Sequence, residues 1–485
     1  MKLCSRVVTR WFAFADLFFV VSSLLLLELA PGLGGLALLL AALPWLIRVF
    51  AGQFPFQRTH FDWLVIIFIL TAGVGIWAAY NPVEAWQKFW LLGGGVFLFY
   101  ALAGQPGDNQ WWIAGFAILV GVGAALFFIL INDWQVHPAK IGLINQAGLW
   151  WMKVRPAFLA GLLHSPNIAD DVAGVIAFTT PFLLAHGTKA WNEKNIPAAV
   201  CCFFCGSIFG AGFLLSISRA AAIALGIGLA TWAVWVVIDR FKPFFNTPRR
   251  VRLSIFIGLA GFLLLGSFFM LRGGLPALLR ALLNFYAASE RQDVAVGAIK
   301  LIGDFPFTGG GLGSFPGLYS YYILDVSNFF ITNSHNLFLD VGLEQGTFGM
   351  LAFSLIYLGC AGRLLSAAPK TKKVLLQAAF ASLVIIILQG LVDDIVYDLN
   401  SASLVFLVPG IAYAVSQPAL LAKQSFRFRH PQVFSYSVLA VIVLFAALLA
   451  MNWNALLASW YTNLGAVQLA KIELVIFPDP PQEGG

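Results

Sequence analysis

The chain has 485 residues and a mass of 52.8 kDa; 60% of the residues are hydrophobic and only 11% are charged, against about 45–50% and about 25% in an ordinary soluble protein. A mean hydropathy of +0.86 excludes a soluble enzyme and a disordered chain, and five cysteines in so long a sequence exclude a disulfide scaffold. The formal charge of +7 does not point to nucleic acid, because in so apolar a chain a basic excess sets membrane orientation; an all-α polytopic membrane protein is expected.

Lys2, Arg6 and Arg10 precede an apolar run to Leu27 that could pass for a secretory signal. Further apolar runs follow at once, so it reads as a retained first helix. Spans are then expected near Leu33–Arg48, Phe61–Ala79, Lys88–Ala103 and Trp111–Ile131, which complete an N-terminal bundle over 1–131. A first extracytoplasmic loop, 132–167, leads to central spans at Ile168–Ala185, Pro197–Ser216, Ala220–Ile238 and Leu253–Leu271. The segment 272–334 is the longest outside the membrane, and loops of this size usually carry function. In it Tyr286–Ile302 reads as an amphipathic helix, followed by the turn-rich Asp304–Gly313. C-terminal spans at Asn336–Leu358, Val374–Val392, Leu399–Val415 and Val433–Met451 fill 335–452. That makes about 13 stretches, each near the roughly 20 residues that one helical crossing needs. In the tail, 453–485, Ala458–Ala470 reads as an amphipathic helix lying on the membrane surface, although its Trp460-Tyr461-x-Asn463-Leu464-Gly465 run also resembles the opening of a helical repeat.

Threading from a cytoplasmic N-terminus places the Arg249–Arg252 and Lys370–Lys373 clusters inside, as positive-inside sorting requires. Lys88, Lys140, Lys153, Arg155, Arg219, Arg272, Arg280, Arg291, Lys300 and Lys471 fall on the other side, so orientation does not explain them. Arg219 stands in the tight turn after Ser216-Ile217-Ser218, where a guanidinium is costly unless it meets an anion or carboxylate; it can also snorkel to headgroups. Arg291 lies on the extracytoplasmic helix, with Glu290 and Asp293 as ordinary surface partners.

The Gly309-Gly310-Gly311-Leu312-Gly313 run lacks the strand and helix of a dinucleotide site. Its N–H groups could form an anion nest, or the run could be a plain turn. His335-Asn336 opens an apolar helix: an imidazole there can take a proton from a hydroxyl, or merely cap the helix. Glu344, some two and a half turns further, is either functional or paired with a buried cation. Asp393 and Asp394 end a span and suggest a cation partner or a sugar-hydroxyl acceptor rather than a metal, since no third ligand has telling spacing. His164-Ser165-Pro166-Asn167 is explained by helix-start chemistry alone. Cys201, Cys202 and Cys205 read as buried thiols rather than ligands.

Taken together, Ser216-x-Ser218-Arg219-Ala220, Arg291 with Ala298, Ile302, Asp304 and Pro306, Gly311-x-Gly313-x-Phe315, and His335-Asn336-x-x-Leu339 with Glu344 and Gly346 resemble the bacterial O-antigen ligase and O-antigen polymerase family. One departure is Ala295, where the family usually has Trp. The resemblance implies a type C glycosyltransferase-like membrane fold in the bacterial inner membrane, with its active site on the extracytoplasmic side. It implies a polyprenyl-diphosphate-linked glycan donor, and a glycan, lipid A core or protein hydroxyl as acceptor. By position, Arg219 and Arg291 would hold the diphosphate and His335 would be the central catalytic residue. Gly311, Gly313, Asn336, Glu344 and Asp393 complete the expected substrate contacts, with no metal and no cofactor. A transporter or flippase of lipid-linked sugars is the alternative, but transporters place polar groups on both sides of a midplane site, and here they gather on one side.

Overall fold

The computed structural model describes residues 2–52, 54–135, 138, 142–156, 168–216, 218–240, 286–323, 331–367, 373–399, 401–417 and 453–474. The expected spans at 253–271 and 433–451, the 164–167 motif and the clusters at 249–252 and 370–372 lie outside the described residues. Among the described residues there are fifteen α-helices and no strand, as the composition requires.

In chain order the helices are α1 (Lys2–Leu29), α2 (Gly35–Phe50), α3 (Asp62–Ala78), α4 (Pro82–Ala103), α5 (Gln110–Ile131), α6 (Gly142–Val154), α7 (Ile168–Asn192) and α8 (Ile196–Ser216). They continue as α9 (Arg219–Arg240), α10 (Tyr286–Asp304), α11 (Phe315–Tyr322), α12 (Leu337–Ser366), α13 (Lys373–Gly390), α14 (Leu407–Ser416) and α15 (Trp453–Glu473). Five of them, α5, α8, α9, α12 and α13, are by themselves long and apolar enough to cross a membrane, and the chain is a multi-pass membrane protein.

Local sequence fixes the helix ends. Asn81 accepts the Glu84 N–H and Pro82 follows at the first turn of α4, the position where a missing N–H costs nothing. Asn336 accepts the N–H groups of Phe338 and Leu339 and so starts α12. Packing then sorts the helices by burial. In α13, 83% of the residues are buried, against 11% in α8; α13 is the central post, packed by α7, α9, α12 and α14. In α8 only Phe209 and Gly212 are buried, so Cys201 is exposed and Cys202 and Cys205 half-exposed. The expectation of buried thiols is therefore corrected: helical periodicity cannot tell a face that meets protein from one that meets lipid when both are apolar.

Within α12 the helix is broken at Gly346, which has φ 74° and ψ 178°. The turn after α10 fills the break: Thr347 N–H donates to Pro306 O at 2.8 Å and Gly310 N–H to Leu343 O at 2.6 Å. A side chain at Gly346 would meet the Phe307 carbonyl as well as adopting a left-handed backbone.

The tail helix α15 does not simply lie on a membrane surface. Asn463, fully buried, accepts the N–H groups of Phe307 (2.9 Å) and Thr308 (3.3 Å) and donates to the Thr308 hydroxyl at 2.7 Å. Val467, Ala470 and Leu474 join Val294, Ala298, Leu301 and Phe305 of the α10 region in a second, smaller core. Lys471 donates to Trp77 O, and Tyr322 donates to Glu473 at 2.6 Å. The helix starts before the expected Ala458 and runs past the expected Ala470, and its buried stripe is the face that clamps α10 and its turn.

Candidate functional site

Three consecutive residues after α13, Leu391, Val392 and Asp393, gather the site. Asn336 Nδ2 donates to Leu391 O at 3.2 Å, Arg291 donates to Val392 O at 3.1 Å, and His335 Nδ1 stands 3.4 Å from Asp393 Oδ1. Their sequence separations of 55, 101 and 58 residues show that only the tertiary fold unites them. The turn is held by its own helix end, where Asp393 N–H donates to Gln389 O at 2.8 Å.

His335 has φ +53°, a left-handed conformation that costs a non-glycine residue and recurs at functional sites. Its N–H is held by Asn333 Oδ1 at 3.1 Å. The side chain of His335 is 32% exposed while that of Asp393 is 10% exposed. A carboxylate on Nδ1 fixes the ring and leaves Nε2 for other work. The helix cap belongs to Asn336, whose oxygen holds two N–H groups and whose nitrogen holds Leu391 O. Its oxygen and one of its N–H groups are thus occupied within the protein.

Arg219 is the first residue of α9 and is exposed. A cation at a helix N-terminus opposes the helix dipole, which favours an anion in the same place. Just before it, buried Ser218 accepts the Ala221 N–H at 3.4 Å and meets Asp170 of α7, which in turn lies within electrostatic reach of Arg291, His335 and Asp393. So His335 meets Asp393 directly, Arg291 and Asn336 bond to the backbone of the two residues before it, and Arg219 stands one residue after Ser218, which meets Asp170.

Glu344, Gly311 and Gly313 form a separate group. Glu344 is 2% exposed and pairs at 2.8 Å with Lys88, itself 5% exposed. The same carboxylate accepts the Gly313 N–H at 2.9 Å. Lys88 Nζ also sits 4.0 Å from the centre of the Tyr397 ring, and Tyr397, Gln345 and Thr71 continue the chain of hydrogen bonds at 2.8 and 3.0 Å. Gly311, with φ +107°, brings the backbone against Ala79, where a Cβ would overlap the neighbouring chain. Leu312 N–H donates to Gly75 O and Ser314 N–H to Gly311 O. Of the two readings left open for the glycine run, the N–H groups of Gly310, Leu312, Gly313 and Ser314 favour the structural turn, since each has a partner inside the protein. For Glu344 the buried cation is Lys88, one of those that orientation does not explain.

Among the described residues no set of three His, Cys, Asp or Glu is arranged to hold a metal ion. Asp170 and Asp171 are the residues that sequence reasoning missed. The signal was available: two adjacent carboxylates in the first turn of an apolar span are an expensive feature.

The architecture is that of a polytopic membrane protein, with a polar cluster where α7, α9 and α12 begin and α13 ends. Residues 204–354, just under a third of the chain, match the family model described as O-Antigen ligase. That stretch holds Arg219, Arg291, Gly311, Gly313, His335, Asn336 and Glu344; Asp170 and Asp393 lie outside it. No curated protein and no solved structure matches the chain.

Proposed function

We propose that the protein transfers a glycan from a polyprenyl-diphosphate carrier to an acceptor hydroxyl, on the extracytoplasmic side of the bacterial inner membrane. The observation that carries this reading is the convergence of His335, Arg291 and Asp393 on the 391–393 turn, next to the helix start that bears Arg219.

The chemistry follows from the groups present. When the bond between the anomeric carbon and the diphosphate oxygen breaks, negative charge collects on the leaving phosphates. Guanidinium groups suit that charge in a water-poor site. A diphosphate leaves without a strong acid, so the remaining need is an oriented acceptor. Asp393 takes the Nδ1 proton of His335 as a hydrogen bond, and Nε2 accepts the acceptor's O–H proton as its oxygen bonds to the anomeric carbon. Attack opposite the leaving diphosphate inverts that carbon, and the arginines supply the positive charge without a metal.

Glu344, Gly311 and Gly313 support this site from behind rather than touching substrate. The test is radiolabelled lipid-linked glycan with purified protein in proteoliposomes. Label moving to an acceptor is expected; label crossing the bilayer unchanged would replace this reading with a flippase.

A further inference from the structure

Asp170 opens α7, outside the family-matched segment, and the proposed chemistry gives it no role. Three observations place it. Its carboxylate meets the Ser218 hydroxyl and has Arg291, His335 and Asp393 as electrostatic neighbours. Ser218 is buried and supports the first turn of α9, one residue before Arg219. One helical turn further along α7, Gly174 packs directly on Gln389 and Ile395, and residues four apart share a helix face, so Asp170 faces the 391–393 turn. Asp171 on its own helix is a further charged neighbour, and it in turn has Asp393 and Asp398 within electrostatic reach. Among the described residues Asp170 forms no ion pair at contact distance. Its charge therefore reaches Arg291 and His335 at longer range.

We infer that Asp170 is a positioning residue of the arginine clamp: through Ser218 it fixes the helix start that carries Arg219, and its negative charge balances the clamp's cations in the empty site. This rests on the proposed function. A second consequence follows from charge alone. A diphosphate entering the clamp meets Asp170 as a like charge, which weakens its hold and favours release of the polyprenyl diphosphate after transfer. At separations of several ångströms and an effective dielectric of about 20 to 40, removing one such repulsion tightens anion binding on the order of 10-fold.

The test uses full-length protein in proteoliposomes, with undecaprenyl diphosphate as inhibitor of glycan transfer. Asp170→Asn keeps an oxygen for the Ser218 hydroxyl but drops the charge. It should bind the diphosphate on the order of 10-fold more tightly while turnover at saturating donor falls. Asp170→Glu, which keeps the charge, should restore wild-type inhibition. A role in folding alone lowers yield and melting temperature and gives no gain in anion affinity. Should the amide variant not fold, Asp170→Ser provides the same neutral comparison. Inhibition of the neutral variant equal to or weaker than wild type, or Asp170→Glu behaving like Asp170→Asn, would overturn the inference. Arg291→Ala separates the two ideas: if the diphosphate inhibits it as strongly as wild type, the clamp itself fails, whatever Asp170 does.

Discussion

Glu344→Ala distinguishes a buried support from a substrate contact, and the structure sets its size. The carboxylate and the Lys88 ammonium are 2% and 5% exposed and lie 2.8 Å apart. Truncating Glu344 leaves the ammonium buried beneath the Tyr397 ring and also frees the Gly313 N–H. Breaking a buried pair from one side costs about 3–5 kcal/mol. Asp394 and Asp398 lie within electrostatic reach of Lys88 and offset part of this, so the lower end, about 3 kcal/mol, is expected. Glu344→Gln retains an acceptor for both Lys88 and Gly313 and should fall between Ala and wild type. Replacing both partners, Lys88→Met with Glu344→Leu, should recover most of the loss, because an apolar pair of similar volume needs no desolvation. The assay is thermal unfolding of detergent-purified protein followed by size exclusion, with transfer rate measured per folded molecule. An unfolding temperature equal to wild type, combined with lost transfer, would refute the argument and return Glu344 to the substrate-binding set.

His335→Ala should lower transfer by roughly 100- to 10,000-fold while lipid-linked donor still copurifies. His335→Gln separates orientation, which would leave substantial activity, from proton transfer, which would not. Arg291→Lys should be nearly as damaging as Arg291→Ala, roughly 100- to 1000-fold in rate; near wild-type transfer would reduce Arg291 to surface charge. Asn463→Leu leaves the N–H groups of Phe307 and Thr308 unpaired, at about 1–3 kcal/mol each, and should expose the tail helix to limited proteolysis. A digestion pattern like that of wild type would remove the clamp role of α15. For orientation, single cysteines at the exposed positions Asp293 and Arg58, on a background without native cysteines, should react with a membrane-impermeant reagent in intact cells at Asp293 only. Labelling at Arg58 alone would invert the topology.

The helices were legible because apolar periodicity and length are local properties: the expected Tyr286–Ile302 helix is observed as Tyr286–Asp304, and the break between Ser216 and Arg219 falls where the motif suggested. Residue types were legible as well, since a charge in an apolar chain stands out whatever its neighbours. What the sequence leaves open is which charges meet. Glu344 and Lys88 are 256 residues apart, and the Arg291 contact with Val392 spans 101; no spacing rule reaches that far. The same gap explains the glycines. Their density marks a turn, yet only the packed backbone shows that Gly313 points its N–H at Glu344 and Gly311 lies against Ala79. The motif order that matches a family thus mixes two kinds of residue. Arg219 is exposed and Arg291 and His335 are half-buried, so their side chains remain open to a ligand. Glu344 is buried and holds the turn after α10 against α12 through the Gly313 N–H, while Gly311 seats the same turn against Ala79.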